Sequence, residues 1–218
     1  MDKLPYIDHL APNQDKVFPM KTENLIWNGK LRVLAIASST GGTNALEVIL
    51  KDLPSFCIPT VIVQHMTSGF TEIFAERLNS LCHIEVREAA NGDSLRPGLA
   101  LIAPADSHMR LRAQGAELVA ECFTGERVHG VMPSADVLFE SVAGIVKDKA
   151  IGVVLTGMGA DGADGLLRMR RQGARTIAQD KDSSVIYGMP KKAYEMGAAE
   201  FVLPLGGIAE KIIRLMCS

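Results

Sequence analysis

From Leu31 onward, short apolar runs alternate with longer stretches in which apolar residues recur every three or four positions. The short runs predict strands at Arg32–Ala37, Thr60–Gln64, Ile84–Arg87, Leu99–Ala103, Ile151–Leu155, Arg175–Gln179 and Phe201–Leu203. The longer stretches predict helices at Asn44–Lys51, Phe70–Ser80, Ala135–Val146, Gly162–Gln172, Pro190–Met196 and Gly207–Met216. Strand and helix in alternation give a predominantly parallel sheet, so the expected fold is a three-layer, doubly wound α/β domain with helices on both faces. One local exception is Met109–Arg112 and Glu117–Ala120, which flank Ala113-Gln114-Gly115-Ala116 and predict a small antiparallel hairpin. Within the second helix, Phe70, Phe74 and Leu78 recur at four-residue spacing and predict its buried stripe. Residues 1–30, punctuated by Pro5, Pro12, Pro19, Asn13, Asn24 and Asn28, lack such periodicity. They read as an N-terminal tail or linker, with 31–218 as one domain and Trp27 pinning the tail to it.

Composition narrows the class without changing the fold. At 218 residues and 47% hydrophobic, the chain can bury roughly 70% of its unfolded surface and needs no disulfide or structural metal to hold it together. Its 23 basic and 25 acidic side chains offer no Lys/Arg excess for neutralising phosphates, so nucleic acid is not an expected partner. Cys57, Cys82, Cys122 and Cys217 are far apart and form no C-x-x-C pair, and they read as reduced thiols. The N-terminus lacks the apolar core of a signal peptide and no stretch reaches the ~18 apolar residues of a membrane span. A cytoplasmic protein with no membrane insertion is expected. The mixed surface charge gives no positive case for more than a monomer.

In doubly wound folds, sites form at the carboxyl ends of strands, and three such ends carry chemistry here. The first strand runs into Ser38-Ser39-Thr40-Gly41-Gly42 and then a helix, whose unpaired N–H groups favour negative charge. Ser39 or Thr40 could equally be a plain helix cap, and a phosphate-binding turn would lack a Walker lysine. The second strand ends in Gln64-His65-Met66, which puts His65 where a neutral imidazole could act as general base or sit as an ordinary structural histidine. His83, His108 and His129 hold less pointed positions, and no His-x-x-x-His spacing suggests a metal.

The third strand end, Thr156-Gly157-Met158-Gly159-Ala160-Asp161-Gly162, admits two readings. Gly157, Gly159 and Gly162 satisfy the spacing of a dinucleotide-binding turn, with Asp180 near the offset of a ribose-binding carboxylate. Against this, Asp161 would bring negative charge into the turn meant to hold a pyrophosphate, and the turn comes late in its domain. If Asp161 faces His65 instead, the strand ends supply a nucleophile, a base and an orienting carboxylate.

At these residues the sequence resembles the catalytic domain of the CheB-type chemotaxis protein-glutamate methylesterases. The shared runs are Ser39–Gly42, Val63–Met66 and Leu155–Ala163, with Ile102-Ala103-Pro104, Pro133-Ser134, Asp136–Phe139, Ala178–Asp180 and Gly188-Met189-Pro190. The resemblance covers about Leu31 to the C-terminus. It implies Ser39 as nucleophile, His65 as general base, Asp161 as the residue orienting His65, and the Met158 backbone N–H as an oxyanion donor. It implies no cofactor and no metal. The implied reaction is hydrolysis of glutamate methyl esters on the cytoplasmic domain of methylated chemoreceptors, with deamidation of receptor glutamines beside it. A dinucleotide-binding module or a non-catalytic receptor-binding module is the alternative, and Asp180 is assigned to structure. Two departures stand out: Ala37-Ser38 replaces the family's Gly-Ala, and Val131-Met132 replaces its His-Arg or His-Lys, removing a basic contact near the substrate groove. Residues 1–30 are too short for the family's receiver domain, so a stand-alone or truncated member, or a receiver on a separate protein, is expected.

Overall fold

The structure, a computed structural model, describes residues 33–217. The proposed tail and Trp27 lie outside the described residues. Seven strands, β1 (Val33–Ser38), β2 (Thr60–Gln64), β3 (Glu85–Glu88), β4 (Leu99–Ile102), β7 (Ala150–Val154), β8 (Arg175–Gln179) and β9 (Phe201–Leu203), form one sheet in the order β3-β4-β2-β1-β7-β8-β9. All of its pairings are parallel. β5 (His108–Gln114) and β6 (Glu117–Phe123) form a separate antiparallel pair, as the hairpin signal predicts.

Alternation along the strands builds two cores. On β1, Leu34 and Ile36 face a cluster made with α1 (Gly42–Asp52), α2 (Thr71–Leu81) and α6 (Leu205–Cys217). Val33, Ala35 and Ala37 face the opposite cluster, made with α3 (Ala135–Ile145), α4 (Ala163–Arg171), α5 (Met189–Glu195) and the hairpin. Helices therefore cover both faces, and the central strands read as continuous apolar runs because both of their sides are buried.

The predicted stripe of the second helix needs one correction. Phe70 precedes α2 and is 57% exposed, while Thr71, Phe74, Ala75 and Leu78 form the buried face. The four-residue spacing is right for Phe74 and Leu78. Extending it to Phe70 fails because the backbone enters the helix only after that residue.

All four cysteines are free thiols. Burial pushes Cys57 up to about 12 and, first among the causes at each, pushes Cys82 and Cys122 up to about 11. They are poor thiolates and pack as small apolar groups. Among the described residues no helix is long and apolar enough to cross a membrane. Strand order reverses between β1, whose successor β2 lies on one side, and β7 on the other. The carboxyl ends of these three strands form the crevice where doubly wound folds bind ligands.

Candidate active site

Ser38 and Gln64 are register partners at the ends of β1 and β2, so Ser39 and His65 leave the sheet side by side. Gln64 locks that corner. Its Oε1 accepts the Ser38 hydroxyl at 2.7 Å, and its Nε2 donates to the carbonyls of Ser39 at 3.0 Å and His65 at 2.8 Å. The His65 N–H donates to the Ser38 carbonyl at 3.0 Å. Ser38 is fully buried and its hydroxyl is committed to Gln64. Ser39 is half-buried, and its hydroxyl makes no hydrogen bond among the described residues. The helix-cap reading of Ser39 and Thr40 is not what the backbone does: Gly41, at φ 81°, is the cap residue of α1 and no side chain bonds the helix start.

The third strand end meets the first. The Ser39 N–H donates to the Thr156 carbonyl at 3.0 Å. Thr156 Oγ1 donates toward the Thr40 carbonyl at 3.0 Å and accepts the Ile186 N–H at 2.9 Å. Gly157 is clamped on both sides, its N–H to Ile186 O at 3.0 Å and its carbonyl to the Met189 N–H at 2.8 Å. A Cβ on Gly157 would stand 2.7 Å from Ser39 Cβ, so only glycine allows this approach. Met158 is 77% exposed, and its backbone N–H donates to no group among the described residues.

Asp161 reaches back across this turn to His65, whose Nε2 donates to Asp161 Oδ2 at 2.8 Å. The same oxygen accepts the Ala135 N–H at 2.6 Å. Oδ1 accepts the Ser134 hydroxyl at 2.6 Å and the Asp136 N–H at 3.1 Å. The carboxylate thus sits on the N-terminus of α3, where the orphan N–H groups and the positive end of the helix dipole favour an anion. Burial pushes its carboxyl up, but the hydrogen bonds from His65, Ser134, Ala135 and Asp136 outweigh that and hold it below its ordinary value. A proton on His65 Nε2 leaves Nδ1 as the lone-pair nitrogen. Ser39 and His65 are adjacent but not hydrogen-bonded to each other, as is common before substrate tightens a site.

The dinucleotide reading finds no support in this geometry. Asp161 occupies the glycine turn, and Asp180 Oδ1 accepts the Ser183 N–H at 3.0 Å and the Ser183 hydroxyl at 2.7 Å, holding the turn after β8. Arg77 pairs with Glu47, and Arg110 and Arg112 with Glu121, all with the arginines exposed. Val131 lies in the loop before α3, bonded in both directions to Val128.

Sequence reasoning assigned no function to Gln64, Thr156 or Ser134, which hold these pieces together. Two signals were available: all three lie in runs shared with the family, and Gln64 and Thr156 stand at or beside strand ends while Ser134 precedes an apolar helix in the manner of a cap.

A doubly wound α/β domain with a serine, a histidine and a capped carboxylate at its switch point has the architecture of a serine hydrolase. The sequence model of the CheB methylesterase family matches residues 34–212, and the chain belongs to that family. It is 50% identical over 199 residues to protein-glutamate methylesterase/protein-glutamine glutaminase 2 of Xanthomonas campestris pv. campestris, covering 91% of this chain and 56% of that protein. It is 54% identical over 185 residues to the protein of the same name from Albidiferax ferrireducens, covering 85% of this chain and 54% of that protein. The chain thus spans little more than half the length of these curated relatives. The Thermotoga maritima CheB methylesterase catalytic domain superposes with a TM-score of 0.83 at 41% identity, covering 85% of this chain and 98% of that one.

Proposed function

We propose that residues 31–218 form the catalytic domain of a protein-glutamate methylesterase that also deamidates glutamine. In this reading the substrates lie on the cytoplasmic domains of methylated chemoreceptors. The observation that carries it is the His65–Asp161 hydrogen bond of 2.8 Å, anchored on α3 and set beside Ser39 by the β1–β2 register.

His65 Nδ1 takes the hydroxyl proton as Ser39 Oγ attacks the ester carbonyl, and Asp161 stabilises the imidazolium that forms. The Met158 N–H receives the oxyanion. The tetrahedral species collapses to an acyl-enzyme as His65 returns its proton to the leaving methoxide, releasing methanol. A water then gives a proton to His65 and attacks the acyl carbon. Collapse restores Ser39 and leaves a glutamate carboxylate. With glutamine as substrate the same steps release ammonia. The exposed Met158, Val185 and Ile186 rim the turn and suit a helical protein surface better than a small polar molecule. A receiver protein acting on this crevice from a separate chain belongs to the same reading.

Reaction of a methylated receptor fragment in heavy-oxygen water tests acyl–oxygen cleavage and its dependence on Ser39. The parent protein removes the methyl group and inserts one heavy oxygen into each new carboxylate, and Ser39→Ala does neither. Binding to the fragment with no change in its mass would leave a receptor-binding module instead.

A further inference from the structure

Behind Asp161 lies a second carboxylate that these steps do not use. Asp136, in the first turn of α3, is buried. Its Oδ1 accepts the Gly165 N–H at 2.6 Å and its Oδ2 accepts His129 Nε2–H at 2.8 Å. Gly165 lies in the first turns of α4, so the two helices exchange caps. Asp161, just before α4, closes the start of α3, while Asp136, inside α3, closes the start of α4. The result is two histidine–aspartate pairs back to back, His65–Asp161 and His129–Asp136. One carboxylate oxygen of each aspartate and a ring nitrogen of His129 lie within 4.8 Å of one another.

A cation is poorly served here, because each Asp161 oxygen already accepts two hydrogen bonds. Capping alone does not explain the charge either, since serine or asparagine caps a helix as well as aspartate. Burial first, and the Asp161 charge among the further causes, push the Asp136 carboxyl above its ordinary range. The groups facing it are Asp161, His129 and the N–H groups of Gly162 and Gly165. No lysine or arginine pairs with it among the described residues. The fold therefore holds a second negative charge where a neutral cap would cost less.

That charge has a use if His65 becomes cationic during the reaction. We propose that Asp136 is a positioning residue acting through Asp161, its negative charge behind the His65–Asp161 pair favouring proton transfer from Ser39 to His65. The proposal rests on the triad reading given above. Its physical content is electrostatic: a buried anion close to the pair stabilises an imidazolium more than a neutral imidazole.

Asp136→Asn tests it, because asparagine keeps an acceptor for the Gly165 N–H and removes the charge. Asp136→Ser, a second neutral cap, serves if the first variant does not fold. The readout is the pH dependence of two rates: methyl-ester hydrolysis, and modification of Ser39 by a fluorophosphonate, which needs only an activated serine. For the neutral variants, both rates should fall about two- to threefold near neutral pH, with KM unchanged, and the acid limb should move to lower pH by about half a unit or more. An acid limb at the parent's pH overturns the proposal, whatever happens to rate or thermal stability, because a plain cap would leave the limb in place. A parent protein that the fluorophosphonate does not modify at Ser39 overturns the triad reading itself, so the two failures are told apart by the parent alone.

Discussion

Adjacent serines at the end of β1 have opposite environments because side chains alternate along an extended segment. Ser38 turns inward to Gln64, and Ser39 turns into the crevice with its hydroxyl uncommitted. That contrast supports the choice of Ser39, which the shared motif and the alternation of side chains along an extended segment both favour. What no motif conveys is the crowding around Ser39. Gly157 contacts it so closely that an added Cβ would stand 2.7 Å from Ser39 Cβ and closer still to Met189 Sδ. Gly157→Ala is therefore expected to fold with a loss of about 1–3 kcal/mol, as overpacked sites do. Because it displaces both the nucleophile and the turn carrying the Met158 N–H, its kcat should fall by about 10² or more. Steady-state kinetics beside urea unfolding checks this, and an alanine variant with parental kcat would show that the Gly157–Gly159 turn does not position the reaction.

Among the elements, the strands were the most legible part of the chain. β2, β8 and β9 have the bounds their apolar runs predict, and β1 and β7 differ only at their ends. Helix starts were less legible because side-chain spacing does not say where the backbone turns. Phe70 shows this for α2, and α1 begins earlier than its apolar residues suggest, on a left-handed glycine. Least visible was the exchange of caps between α3 and α4. It joins Ser134 and Asp136 to Asp161 and Gly165 across long sequence separations, and no local pattern encodes such a contact. Its energetic consequence is testable through Asp161. The folded protein holds this carboxyl below its ordinary value, so its stabilisation is full above the unfolded value and is lost as pH falls through the folded one. Asp161→Asn should thus be less stable than the parent by about 2–4 kcal/mol near pH 7, with the gap narrowing below about pH 4. Thermal unfolding across this range measures it, and a gap independent of pH would mean that the carboxylate's charge contributes nothing to the fold.

At the scale of the whole molecule, chain order and sheet order together create the site. Placing β1 between β2 and β7 brings three strand ends from distant parts of the sequence to one crevice. Alternation of strands and helices made the layers and both helix-covered faces legible, and the shared motifs made the family legible. The glycine turn after β7 was ambiguous by itself, because the same spacing serves a dinucleotide-binding loop. Its orientation depends on Asp161 finding both His65 and the start of α3, which only the folded chain provides. The most direct test of the central claim is methanol release from a methylated chemoreceptor cytoplasmic fragment, comparing the parent with Ser39→Ala at equal folded concentration. Release by the parent, with a loss of about 10³-fold or more in the variant, is the predicted result. Equal release by both would contradict Ser39 as nucleophile, and release by neither, with the fold intact, would contradict the methylesterase assignment.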